Sequence, residues 1–248
     1  MEIPNMKKLA LCIGVCALAL LATSCSDKMD PNDPSSVRKY LIKQKIAFTP
    51  NQFNSYAANG DTANMSLFLL AKFDINEADD KGNCAVAIAV NKGKFDVLQY
   101  LAAHDARLNV TNSNGESVLD DAVAQGYTDI VKFLVQKIQE EGAVNDLGAS
   151  VALAAKVGNT DGLRILGDAG APLEVRGADG YFPIHLAAKG GHYDAVEYLI
   201  SKGVDVNVKC SQGYSVLDWA KNEGYTRIIS LLQKHGAKYT SAYLKMKH

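Results

Sequence analysis

Short apolar blocks alternate with polar turns along most of this chain, and within each block the apolar positions fall three or four residues apart. Phe53, Val86, Leu119, Val151, Ile184 and Leu217 are each followed three residues later by Tyr56, Ala89, Ala122, Ala154, Ala187 and Ala220. Positions i and i+3 share one helix face, so each block predicts a short helix with one buried stripe. A small residue at the second position of all but the first lets a neighbouring helix approach closely. A second helix follows in each unit, as in Val97, Leu98, Tyr100 and Leu101, or Ile228, Ile229, Leu231 and Leu232. Glycines punctuate the pattern. Gly82, Gly115, Gly148, Gly180 and Gly213 lie 33, 33, 32 and 33 residues apart, and Gly60, Gly93, Gly126, Gly158, Gly191 and Gly224 keep step with them. Two registered series over six units predict stacked repeats, because one helix pair alone cannot bury both of its stripes.

The unit beginning at Asp179 is the most regular. Its stretch Phe182-Pro183-Ile184-His185-Leu186-Ala187-Ala188, its turn Gly191-His192, its second helix Tyr198-Leu199-Ile200 and its exit Gly203-Val204-Asp205-Val206-Asn207 resemble the ankyrin repeat. The last unit repeats the plan. The resemblance implies an all-α ankyrin-repeat solenoid: helix-turn-helix units of about 33 residues joined by short β-hairpin loops. About six repeats then fill residues 46–242, preceded by a capping helix at 37–45, VRKYLIKQK. It also implies that His185 ties turn backbone, that His192 acts similarly, and that Trp219 faces the core. Thr49-Pro50-Asn51-Gln52 predicts a capped helix start, and Ser117–Asp120 and Ser215–Asp218 have capping-box spacing. Asn76, Asn109 and Asn207 follow second helices, where an amide side chain can bind turn backbone. The third unit carries extra residues, Ile138-Gln139-Glu140-Glu141, which predict a longer second helix, a lost hairpin and a local bend before the fourth unit.

The first 36 residues follow another pattern. Lys7 and Lys8 precede an uncharged run from Leu9 to Leu21, which suits a signal-peptide core and is short for a bilayer span. Ala22-Thr23-Ser24-Cys25 follows, and the whole resembles a bacterial lipoprotein signal, with residues 1–24 removed and Cys25 lipidated. Ala22 stands where that family usually has Leu or Val. Ala22 and Ser24 also form a small-x-small site for ordinary cleavage at the same bond, which leaves a plain secretory signal as the alternative. Residues 25–36 read as a polar, proline-broken tether carrying Asp27 and Asp30. The resemblance places the protein in a bacterial cell envelope, anchored to membrane and facing periplasm or cell surface.

Composition narrows the function. Apolar residues make up 48% and charged residues 21%, which suits a packed protein, and the net charge of −1 provides no basic excess for nucleic acid. Only Cys84 and Cys210 lie outside the signal and anchor, too few for a disulfide framework. No P-loop, GxGxxG or GxSxG pattern occurs, and His104, His185, His192, His235 and His248 lack close metal-ligand spacing. Adjacent Asp79-Asp80 and Asp120-Asp121 read as caps and solvated groups. No catalytic, metal or cofactor site is predicted, and the chain reads as a non-enzymatic, monomeric domain.

Function then falls on positions the repeat leaves free. On the implied hairpin tips these are Asp80, Lys81 and Asn83, then Ser113, Asn114 and Glu116 in the earlier units. In the later units they are Asp179 and Tyr181, then Ser211, Gln212 and Tyr214, with Arg176 and Lys209 at the hairpin bases. Tyr and Arg are the usual anchors of protein interfaces, so the expected role is a protein-protein contact ladder on the concave face of the C-terminal half, toward an acidic or mixed-charge partner. The competing reading for both tyrosines is packing on their own hairpins. An alternative role is a protective or immunity protein that masks a toxin or a stressed envelope enzyme. After Gly236 come Lys238, Lys245 and Lys247 with no acid, so residues 243–248 read as a basic tail.

Overall fold

A computed structural model describes residues 29–241 and Tyr243. The signal-like segment, Cys25 and the lysines at 245 and 247 lie outside the described residues. Among the described residues there are thirteen α-helices: one leading helix and six helix pairs. They fall into two compact units, one up to Val118 and one from Leu119.

The N-terminal unit holds α1 (Pro34–Lys43), α2 (Pro50–Asn59), α3 (Thr62–Leu70), α4 (Ala85–Asn91) and α5 (Phe95–Ala103). Helix α1 starts three residues before Val37. Asp33-Pro34 supplies an N-cap and an N1 proline, and the Asp33 carboxylate accepts from Ser35 N–H and Ser36 N–H. Val37 and Leu41 are buried as α1 packs on α3. The core here is aromatic: Phe53 and Phe73 have ring centroids 4.8 Å apart, and Phe48 stacks on Phe68 at 5.0 Å. Arg38 closes it, with its guanidinium over the Phe48 ring and Nε donating to Ala71 O at 2.9 Å. Thr49 caps α2 as expected, accepting from Gln52 N–H at 3.3 Å.

The C-terminal unit continues with α6 (Val118–Gln125), whose first residue ends the preceding unit. It then has α7 (Thr128–Glu140), α8 (Gly148–Val157), α9 (Thr160–Asp168), α10 (Pro183–Gly190), α11 (Tyr193–Ser201), α12 (Val216–Asn222) and α13 (Thr226–Lys234). First helices pack in one layer, α8 on α10 on α12, and second helices in another, α7 on α9 on α11 on α13. The six expected stripe residues, Phe53 to Leu217, are all buried, as are the five alanines that follow them. Helix α7 has 13 residues against nine in α9, α11 and α13, and the 3₁₀ turn Val144–Leu147 replaces the loop after it.

Side chains repeat the same link between neighbouring repeats. Asn76 Oδ1 accepts from Arg107 N–H at 2.8 Å, and Asn207 Oδ1 from Lys238 N–H at 3.0 Å. These asparagines bind the following repeat rather than their own turn. Glu174 stands in the same register and accepts from Asp205 N–H at 2.7 Å. On the second helices, the Tyr100 hydroxyl meets Ser66 Oγ at 2.8 Å, and the Tyr198 hydroxyl donates to Arg164 O at 3.4 Å, each 34 residues back. Two inter-helix glycines serve the stacking as well as the turn. Gly158 has φ +74°, and a Cβ there would lie 2.3 Å from His192 Nδ1, while a Cβ at Gly191 would lie 2.7 Å from the Tyr225 ring. Each ring rests on the preceding glycine, and His192 Nε2 donates to Lys156 O at 3.0 Å.

Candidate functional site

The loops between repeats share one backbone design. In the first described loop Gly82 N–H donates to Asp79 O and Asp79 N–H to Asn83 O, both at 2.9 Å. The same pair of bonds closes 112–116, 177–181 and 210–214, with Gly115, Gly180 and Gly213 at the equivalent place. All four glycines have φ near +80°, so each loop is a turn ending in a left-handed residue, the three-residue hairpin with a bulge. Two isolated bridges, Thr111–Ser117 and Lys209–Ser215, extend two of the loops, and no longer strand forms among the described residues.

First helices lock these loops in place. Asn54, Asp120, His185 and Asp218 occupy one register position, that of the histidine in the ankyrin pattern. Asn54 Nδ2 donates to Asn83 O at 2.8 Å, and His185 Nε2 donates to Tyr214 O at 3.3 Å, both 29 residues ahead. Asp120 instead accepts from Ser150 Oγ at 2.5 Å in the repeat that lacks the loop. Asp218 is buried and closes the chain: it accepts from Thr240 Oγ1 at 2.7 Å and Thr240 N–H at 3.2 Å. It also completes the capping box with Ser215. Burial lowers the His185 imidazole to about 4, against the opposing pull of the Tyr214 and Val208 carbonyls. His185 is therefore a neutral strut at physiological pH. Partial burial raises the Asp79 carboxyl, but hydrogen bonds from Asn83 N–H, the Asn54 amide and Lys81 N–H outweigh it and hold the group below its ordinary value.

The N-terminal loop residues are occupied with one another. Asp79 Oδ1 accepts from Lys81 N–H and Asn83 N–H, and Asn112 Oδ1 from Asn114 N–H and Glu116 N–H. Asp80 is hydrogen-bonded to Asn51, half-buried Asn83 accepts from Ser113 N–H at 2.9 Å, and Glu116 accepts from Asn112 Nδ2. Asp80, Lys81, Ser113, Asn114 and Glu116 remain exposed. Asn83 serves as a strut between loops.

The C-terminal loops carry different chemistry. Gly177 and Cys210 stand where Asp79 and Asn112 stand, so neither supplies a side-chain acceptor to the turn; exposed Asp179 accepts from Tyr181 N–H instead. Ser211 N–H donates to Gly180 O at 2.9 Å, so Ser211 and Gln212 ride directly on the preceding loop. The structure brings Tyr181 and Tyr214 together around Trp219, with ring centroids 5.6 and 5.9 Å from it. Lys189 lies over two of these rings, Nζ being 4.7 Å from Trp219 and 5.1 Å from Tyr181. Arg176 is exposed, stacks over Phe182 at 5.0 Å and donates to Lys209 O at 3.0 Å, and Lys209 itself is exposed. All three rings are half-buried.

Lys189 and Trp219 were not anticipated as partners of the two tyrosines. Tyr181 and Trp219 are 38 residues apart, one repeat plus five, and no helical period links them. Elsewhere, a groove of about 570 Å³ on the second-helix side is lined by Tyr193, Glu197, Arg227 and Lys234, among others. Two of its charges are engaged: Arg227 lies over the Tyr193 ring, whose hydroxyl donates to Glu197. Among the described residues, no three His, Cys, Asp or Glu side chains are placed to hold a metal ion, Cys84 and Cys210 are free thiols, and no helix is long and apolar enough to cross a membrane.

Stacked helix pairs with projecting turn loops define a repeat scaffold that presents loop tips and first helices. The family described as "Ankyrin repeats (3 copies)" matches residues 53–146 and 151–242, and the chain belongs to it. An ankyrin repeat domain from Acinetobacter baumannii AYE has a TM-score of 0.67 at 25% identity, covering 75% of this chain and 98% of that one. The human ASB11 ankyrin repeat domain shares the fold with a TM-score of 0.62 at 22% identity, covering 75% and 84%. Ankyrin repeat domain-containing protein 13C-A of Xenopus laevis is 25% identical over 119 residues, 45% of this chain, and the match spans only 23% of that protein.

Proposed function

We propose that this chain is a non-catalytic protein-binding module, monomeric, held at a bacterial envelope membrane through lipidated Cys25, and that it meets its partner on the loop tips and first-helix face of the C-terminal unit. Membership of the ankyrin family supports a protein partner. The observation that favours the C-terminal face is the cluster of Tyr181, Tyr214 and Trp219 with Lys189 across it. Tyr, Trp and Arg are the residue types that dominate binding energy at protein interfaces. The membrane anchor rests on the N-terminal sequence pattern, Lys7-Lys8, the apolar run and Cys25.

The test is cross-linking of the anchored protein in its native envelope, beside a variant with Tyr181, Tyr214, Arg176 and Lys209 changed to Ala and with an unchanged helical signal. The expected result is one partner recovered with the wild type and lost with the variant. Equal recovery by both would move the contact away from the C-terminal face. A Cys25→Ala chain should leave the membrane fraction, and its retention there would refute the anchor.

A further inference from the structure

Each element of the C-terminal cluster has a counterpart three repeats earlier, 98 residues back. Arg176, Tyr181, Lys189, Lys209, Tyr214 and Trp219 correspond to Ala78, Asn83, Asn91, Thr111, Glu116 and Asp121. One set of repeat positions therefore carries three cations and three aromatic rings at 176–219, and two acids with no cation at 78–121. Among the described residues, none of Arg176, Lys189 and Lys209 is ion-paired with a carboxylate. Arg176 satisfies itself on a carbonyl and a ring, and Lys189 on two rings. Asp179 is the one carboxylate in the two loops 177–181 and 210–214.

Trp219 adds an independent sign. It stands where Leu186 and Leu153 stand in the two preceding repeats, and leucine fills that position with no polar atom to satisfy. Tryptophan leaves its Nε1–H buried without an acceptor, a penalty on the order of 1–3 kcal/mol. Packing alone does not call for that choice, whereas a flat ring platform beneath Lys189 does.

We infer that this face binds an extended acidic segment of a partner protein, whose carboxylates pair with Arg176, Lys189 and Lys209 while its backbone and side chains lie across Tyr181, Tyr214 and Trp219. The inference rests on the protein-binding reading above and adds the chemistry of the partner. Charge complementarity is what selects this occupant: the three unpaired cations attract carboxylates and repel a basic segment.

Trp219 is the chain's single tryptophan, so its emission reports the face directly. The full-length protein is titrated with a short peptide of alternating Glu and Ser, and with its Gln-for-Glu counterpart. The acidic peptide should shift Trp219 emission and bind about tenfold tighter than the neutral one, with the gap narrowing as salt is raised. Arg176→Gln, Lys189→Gln and Lys209→Gln together should remove the gap at unchanged helical signal, and Lys81→Gln in the other unit should leave it intact. Equal binding of the two peptides, or no change in Trp219 emission with either, overturns the inference. So does a dimer of the free protein that the triple variant abolishes, which would give the face to a second copy. If the peptides fail while envelope cross-linking still depends on Tyr181 and Tyr214, the acidic chemistry is wrong and the binding role stands; if cross-linking fails as well, both fall.

Discussion

The loops at 79–83 and 112–116 and those at 177–181 and 210–214 share a backbone and differ in what their side chains do. In the N-terminal pair Asp79 and Asn112 turn inward and cap their own turns, and Asn83 and Asn54 bind across to neighbouring backbone. In the C-terminal pair the equivalent acceptors are missing, backbone bonds and His185 hold the turns, and the side chains are left to form an aromatic and cationic surface. The lesson is that one turn geometry can be stabilised by either route. Where a turn closes without a side-chain cap at its first residue, its side chains are left to form a surface.

The sharpest way to break this comparison is pH. His185 has an unfolded value near 6.5 and a folded value near 4, so the unfolded chain binds the extra proton between them and stability falls as pH drops through that window. The loss, complete below about pH 4, should approach about 3 kcal/mol. Urea unfolding of the wild type and His185→Asn between pH 7 and 4 checks it, and the variant should lose most of the slope. At the matching position of the N-terminal unit Asn54 does not titrate. Asp79 beside it is held below its ordinary 3.8, so its stabilisation persists above that value and is lost only at more acid pH.

Glycine substitution is the next largest effect. Gly82 and Gly180 have nearly identical backbones, φ +82° and +83°. A Cβ at Gly82 meets nothing within 4 Å, so Gly82→Ala should cost about 1 kcal/mol of left-handed strain. A Cβ at Gly180 would lie 2.0 Å from Ser211 Oγ and 2.6 Å from its Cβ, so Gly180→Ala should cost about 2 kcal/mol more. Thermal denaturation of the two variants compares them, and equal losses would show that the loops are not stacked as described.

Helix caps separate the units by less. Ser215→Ala removes a buried, reciprocal capping box and should cost about 1–2 kcal/mol, while Thr49→Ala removes one bond at an exposed cap and should cost about 0.5–1 kcal/mol. Chemical denaturation midpoints would order them. The smallest effect is expected at the surface pair of Lys202 and Asp168, 2.7 Å apart on exposed side chains. Lys202→Ala should leave the melting temperature unchanged within error, and a clear drop would mean that the pair holds the second helices together.

Much of the fold was legible in the chain itself. The i, i+3 stripe from Phe53 to Leu217 and the two glycine series establish helix pairs and their register, because backbone periodicity and left-handed turns are local properties. The extra residues after Lys137 foretold the long α7, and the spacing of Ser215 and Asp218 foretold the capping box of α12. Less was legible at the candidate face. Tyr181 and Tyr214 could be singled out as free positions, and Arg176 and Lys209 as cations beside them, since exposure follows from register. That Arg176 binds a backbone carbonyl, that Asn83 is a strut, and that Asn76 and Asn207 bind the next repeat are facts about neighbours one repeat away.

The division follows from range. Helix type, turn type and repeat number are decided within a few residues of each position, and these the amino-acid order determined. The gathering of Lys189, Trp219 and two tyrosines, the shared task of Asn54 and His185, and the seating of His192 on Gly158 depend on which atoms meet when one repeat is laid on the next. Those contacts depend on ångström-scale packing between helices, which only the tertiary structure decided.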